Sequence, residues 1–205
     1  AELADVLVTS HPPAAAPGKG PALLVTQFGA HSVLQLMGCS DAPVTDLTLT
    51  VLVTTYQRPV ALARCLEALA RQTVPASHFD VVVVDDASAE DPAPVVAGFA
   101  DRLRLTYVRM PVNGGAGAAR GAGLRVSTGD VILLMDDDDV ASPRVLAEHL
   151  RKHDELSGDD VVVLGHTVVR PDDRSDILSR HVTREGTQYF GYGTMEDGRQ
   201  LPWHW

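Results

Sequence analysis

From Leu47 onward, short apolar segments alternate with stretches whose apolar residues recur at helical spacing. Leu47 to Thr54 alternates Leu and Thr before closing on a Val-Leu-Val run, which predicts a strand entering a buried sheet. Pro59 suits the first turn of a helix, and Leu62, Leu66, Leu69 and Ala70 share one face of it as far as about Gln72. The Val-rich run Phe79 to Val84 predicts a central parallel strand covered on both faces. Asp91 followed by Pro92 marks a second helix start, Leu103 to Val108 a further strand, and Gly115 to Val126 an Ala-rich helix opened by glycines. Val131 to Met135 is the next buried strand, Ser142 and Pro143 open a helix through about Leu156, and Val161 to Val169 closes the pattern. Strands alternating with helices imply an α/β fold with a Rossmann-like, mostly parallel sheet flanked by helices. Ligands bind such sheets beyond the carboxyl ends of the strands, so the chemistry is sought there.

The N-terminal part is different. Residues 11 to 21 are rich in Pro, Ala and Gly, a composition that resists both helix and sheet, while Ala4 to Thr9 and Ala22 to Phe28 are strand-like. We therefore divide the chain into residues 1–46, an extension of unassigned role containing a Pro-rich linker, and residues 47–205, the main domain. With 205 residues and 45% hydrophobic content the chain can bury one substantial core. The formal charge of -10 argues against nucleic acid or an anionic membrane surface as the main partner. A polyanionic nucleotide would need help from a metal cation or from helix-terminal amides. Cys39 and Cys65 suggest neither a disulfide framework nor a zinc site, which favours a reducing compartment. No apolar run approaches the ~20 residues needed to cross a bilayer, and no signal-peptide pattern follows Ala1.

Three predicted strand ends carry polar or acidic groups: Thr54-Thr55-Tyr56, Asp85-Asp86, and the run Asp136 to Asp139. Four consecutive carboxylates repel one another, and a divalent cation removes that cost. Mg²⁺ and Mn²⁺ take oxygen ligands, with one or two carboxylates typically sharing Mg²⁺ with substrate phosphates. Asp136 and Asp138 are expected on one side of an extended backbone, so that one reaches the nucleotide and the other the metal. An EF-hand loop starting at Asp137 would place Glu148 at its twelfth position, but Ala141 is no ligand, Ser142 replaces the required glycine, and no helix precedes the loop, which disfavours that reading. Asp85 and Asp86 precede Ala87 and Ser88, a plausible tight turn, and a carboxylate there can accept hydrogen bonds from a base or a ribose; a plain turn aspartate is the alternative. The segment Asn113 to Gly123 matches neither the dinucleotide fingerprint nor a P-loop. It leaves a glycine-rich helix start with Arg120 able to meet a phosphate or a base edge, or simply a helix packed tightly on the sheet. His149, His153, His166 and His181 form no ligand grouping and are expected on the surface or in loops. No Gly-x-Ser-x-Gly elbow is present, and Cys65 falls on the buried side of its helix, so nucleophilic catalysis has no support.

Taken together, Thr50 to Pro59, Val83 to Ser88, Asn113 to Gly123 and Thr128 to Asp139 resemble, in order and spacing, the GT-A family 2 glycosyltransferases. The resemblance implies a GT-A fold and a donor site for a nucleotide-diphosphate sugar, commonly a UDP-sugar. It makes Thr54, Tyr56 and Asp86 the base pocket and places Arg120 near the base or phosphate. Arg58, Asp85, Asn113, Gly114, Asp136 and Asp137 would complete the donor-binding set. Asp136, Asp137 and Asp138 resemble the family's D-x-D region, with Asp138, assisted by Asp136, holding Mg²⁺ or Mn²⁺ against the diphosphate. Gln57 stands where asparagine is more usual. Inverting members use one carboxylate as general base on the acceptor hydroxyl. Glu196 and Asp197 faintly resemble that motif, although the base is also expected beyond Trp205, with the chain ending before the acceptor side is complete. The implied acceptor is a carbohydrate, lipid-linked or other hydroxyl, and the implied location is cytoplasmic or peripheral to the inner membrane face. Two rival readings remain: a non-catalytic nucleotide-sugar-binding or assembly module, and an aspartyl phosphotransferase.

Overall fold

The computed structural model describes residues 45–156 and 161–165, together with the backbone of two short strands, β1 (Val6–Thr9) and β2 (Ala22–Val25). The main domain then runs β3 (Leu49–Thr55), α1 (Pro59–Leu69), β4 (Phe79–Asp85), α2 (Ala93–Ala97), β5 (Leu105–Arg109), α3 (Gly115–Leu124), β6 (Val131–Asp136) and α4 (Val145–Leu156). The strands form one six-stranded sheet in the order β1-β5-β4-β3-β6-β2. Every neighbouring pair is parallel except β1 on β5. This is the expected mostly parallel α/β sheet, and the two N-terminal strands pair along its two edges.

Every residue of β3 is buried, because β3 lies between β4 and β6 and helices cover both faces. Alternate side chains feed two cores. On one face Val51, Val53, Val81, Val83, Leu133 and Met135 pack with Leu62, Leu66 and Leu69 of α1 and Leu146 and Leu150 of α4. On the other, Leu52, Val82, Val84, Ile132 and Leu134 pack with Ala119 and Ala122 of α3. Each large aliphatic side chain so enclosed contributes roughly 1.5–3 kcal/mol. The small residues of α3 allow it to lie close to the sheet: a Cβ added to Gly123 would stand 2.1 Å from Leu52 Cδ1.

The register sets the site. Thr54 pairs with Val84 and with Asp136, and Thr55 with Asp85, so the ends of β3, β4 and β6 are flush. Asp85 in turn pairs with Arg109 at the end of β5.

Three local expectations change. Helix α1 stops at Leu69, and the Gln72 side chain leaves the helix to donate to Ser142 O at 2.7 Å. Val161 to Gly165 form no strand, and residues 166–169 lie outside the described residues. His149 and His153 are buried, with 4% and 6% of their surface exposed, and do not lie on the surface. They share the inner face of α4 with Leu146 and Leu150, at the spacing of one helical stripe. His149 Nδ1 and His153 Nε2 lack hydrogen-bond partners. Burial pulls His149 down to about 4, so the ring packs as a neutral imidazole.

Candidate functional site

At the end of β4 the chain turns sharply through Ala87, whose φ of 60° is left-handed. Asp85 holds this turn. Its carboxylate has no exposed surface and accepts the Ser88 amide at 3.1 Å and the Ser88 hydroxyl. Arg109 Nη1 stands 3.7 Å from Asp85 and 3.0 Å from Asp91, while Arg109 Nη2 donates to Ser88 O at 2.7 Å. Asp86 points the other way, to the start of α3. Its two oxygens accept the Gly114 and Gly115 amides, each at 2.8 Å. A carboxylate is favoured at a helix N-terminus by the free amides and the positive end of the dipole. Gly115 takes a φ of 81°, which suits glycine at this approach. Asn113 Nδ2 donates to Asp86 O at 3.2 Å and closes the loop. Each Asp86 oxygen retains a second lone pair, so the carboxylate can still accept from a ligand.

The end of β3 lies beside this turn. Gln57 is also left-handed, with φ 56°, and its amide donates to Ser88 Oγ at 2.7 Å. Asparagine tolerates that conformation better than glutamine. Tyr56 stands out from the surface with 42% exposure, and its hydroxyl accepts from Gln57 Nε2. An exposed ring at a strand end offers a flat face to a base.

At the end of β6 the four aspartates diverge. The strand stops at Asp136, and Asp137 and Asp138 form a turn, so Asp136 and Asp138 do not share one side of an extended backbone as expected. Asp136 Oδ1 accepts Arg120 Nη2 at 2.8 Å. Asp137 is buried; its Oδ2 accepts the Thr55 hydroxyl at 2.7 Å and its Oδ1 lies 3.2 Å from Arg58 Nη1. Asp138 is more open and meets the same Arg58 nitrogen at 2.9 Å. Asp139 turns inward, its Oδ2 accepting the Asp136 amide at 3.4 Å and its Oδ1 without a partner among the described residues. Burial, reinforced by the neighbouring carboxylates, pushes Asp139 up to about 6, and burial also raises Asp137. Cys65 lies under this turn with its thiol directed at Asp136 O, and burial pushes the thiol far above the usual range. It is chemically inert.

The structure thus brings Thr54, Tyr56, Arg58, Asp86, Asn113, Gly114, Arg120, Asp136, Asp137 and Asp138 to one edge of the sheet. Asp85 is spent on the turn beneath them. Glu196 and Asp197 lie outside the described residues. Sequence reading placed Thr55, Ser88 and Asp139 in these motifs without giving them a role, and it missed Arg109. Arg109 had the same signal as the aspartates, a charged residue ending an apolar strand.

Among the described residues no three His, Cys, Asp or Glu side chains converge on one point that would cage a metal ion. The available donors are hard carboxylate oxygens, chiefly on Asp138 with 24% of its side chain exposed. That set fits a cation held by one or two carboxylates and completed by substrate phosphates, as Mg²⁺ commonly is.

Comparison with known proteins places the chain in a family. The chain is 38% identical over 120 residues to a hyaluronan synthase of Pasteurella multocida, covering 57% of the chain and 12% of that protein. It is 36% identical over 106 residues to a validoxylamine A glucosyltransferase of Streptomyces hygroscopicus, covering 51% of the chain and 25% of that protein. Among solved structures, Staphylococcus aureus TarS in complex with UDP-GlcNAc superposes with a TM-score of 0.51 at 31% identity, covering 53% of this chain and 32% of that one. A Pyrobaculum calidifontis mannosyltransferase in complex with GDP-Man and Mn²⁺ superposes with a TM-score of 0.52 at 27% identity, covering 56% of this chain and 34% of that one. The chain therefore spans a third or less of the relatives' own length in the two enzymes and at most 34% in the two structures. The glycosyl transferase family 2 model matches residues 50–203, across all the strand ends described above, and the chain belongs to that family.

Proposed function

We propose that this domain binds a UDP-sugar together with Mg²⁺ or Mn²⁺ and serves transfer of the sugar to a hydroxyl acceptor with inversion. The observation that carries the reading is the flush convergence of three polar strand ends, Thr54 to Tyr56, Asp86 and Asp136 to Asp138, on one sheet edge. The UDP-GlcNAc complex of TarS and the Mn²⁺ complex of the mannosyltransferase support the donor class and the metal.

In this reading Tyr56 stacks on the base while Asp86, held by the α3 amides, accepts a base or ribose donor. Fixed donors hold Asp86 in place before the ligand arrives, which lowers the ordering cost of binding. Arg120 and Arg58 supply the positive charge that an acidic chain needs next to a diphosphate. Asp138, with Asp136 beside it, holds the divalent cation, which would act as a Lewis acid on the departing nucleoside diphosphate. Asp137, buried and bonded to Thr55, fixes the turn that presents Asp138. Glu196 and Asp197 remain the candidates for the base that takes the acceptor's proton. The acceptor is a carbohydrate, a lipid-linked sugar or another hydroxyl compound. Among the described residues no helix is long and apolar enough to cross a membrane.

Calorimetric titration of UDP into the chain, with and without Mn²⁺, tests the reading. Binding is expected to strengthen with Mn²⁺, and Asp138→Ala is expected to abolish that dependence while leaving the fold intact. Binding that is indifferent both to Mn²⁺ and to Asp138→Ala would sink it.

A further inference from the structure

Arg58 is paired with Asp138, the carboxylate proposed as the main holder of the cation. Its Nη1 lies 3.2 Å from Asp137 Oδ1 and 2.9 Å from Asp138 Oδ2, so one guanidinium nitrogen bridges adjacent carboxylates. Asp137 Oδ2 is already taken by Thr55, which leaves the oxygen facing Arg58 as the outward one. A divalent cation held by Asp138 would compete with the guanidinium for that carboxylate.

The two arginines at the site are not alike. Arg120 is 19% exposed and, among the described residues, pairs with Asp136 alone. Arg58 is 55% exposed, immediately before α1, on a backbone pinned by the Gln57 amide to Ser88. The backbone is fixed, and the long side chain reaches the carboxylates from the solvent side. Its planar fork of donors suits phosphate oxygens as well as carboxylates.

We propose that Arg58 and the divalent cation compete for Asp138, and that arrival of metal with donor transfers Arg58 from the carboxylates to the diphosphate. The proposal rests on the metal-dependent donor reading above and adds an exchange of cations to it. Arg58 keeps the acidic turn neutralised without donor, and metal and nucleotide then bind cooperatively, because the nucleotide offers the displaced guanidinium a new partner.

The test uses Mn²⁺ alone, followed by paramagnetic resonance of the free ion, and UDP at saturating Mn²⁺, followed by calorimetry. Arg58→Gln is expected to bind Mn²⁺ alone about three- to fivefold more tightly, the scale of one part-exposed ion pair. The same variant is expected to bind UDP at saturating Mn²⁺ about tenfold more weakly, having lost a charged phosphate contact. Arg64→Gln, which removes an exposed charge from the same helix, is expected to change neither. Both shifts in Arg58→Gln are required. If the wild-type chain binds UDP with Mn²⁺ but Arg58→Gln gains no Mn²⁺ affinity, or Arg64→Gln gains as much, the exchange is overturned and the donor reading stands. If no variant takes up Mn²⁺ with or without UDP, the donor reading falls and the exchange with it.

Discussion

The acidic ends of β4 and β6 present the same side chain to the same edge of the sheet, yet their partners differ in kind. After β4, Asp85 and Asp86 are held by the amide and hydroxyl of Ser88 and by the amides of Gly114 and Gly115. These donors are part of the backbone or one bond removed from it, and they cannot leave without unfolding a turn. After β6, Asp136 and Asp138 are met by Arg120 and Arg58, whose charges ride on long side chains, while Asp139 keeps an oxygen without a partner. A carboxylate held by the backbone keeps its place whether or not a ligand is bound. One met by an arginine on a long, part-exposed side chain can exchange that partner for a ligand.

The largest effect expected from this contrast is at Asp85. Asp85→Ala strands the Ser88 amide and hydroxyl in a buried setting and should cost about 3 kcal/mol of stability. Urea unfolding at unchanged m-value measures it, and a loss under about 1 kcal/mol would break the contrast.

The opposite sign is expected at Asp139. Its folded value near 6 lies above the ordinary 3.8, so the protonated form favours the fold; that contribution is complete below the ordinary value and is lost as the pH rises through about 6. Asp139→Asn should therefore match wild type below about pH 4 and be more stable by about 2 kcal/mol near pH 8. Thermal melts across that range decide it, and equal stability at both ends would show that Asp139 carries no penalty. The smallest effect concerns the turn that Asp85 holds. Ala87→Gly relieves a left-handed residue but frees the unfolded chain, for a net gain of about 0.5 kcal/mol. A loss in its melting temperature would show that Ala87 is not strained.

Much of the fold was legible because buried parallel strands leave continuous apolar runs, and β3, β4 and β6 are such runs. The candidate site was legible as a set of strand ends. The buried histidines were misread because their residue type outweighed their spacing, although His149 and His153 fall on the stripe of Leu146 and Leu150. The roles within each acidic pair could not be read at all. Asp85 and Asp86 are neighbours with one chemistry, and only the positions of Ser88 and α3 distinguish them.

By itself the sequence determined the alternation of strands and helices, the burial of the central strands and the acidic character of two strand ends, since these follow from local periodicity and residue type. Tertiary structure alone decided which carboxylate takes which partner. Thr55 meets Asp137 across 82 residues of chain, and Arg58 meets Asp138 across 80. Contacts of about 3 Å between such distant residues depend on strand order and register, which no local pattern contains.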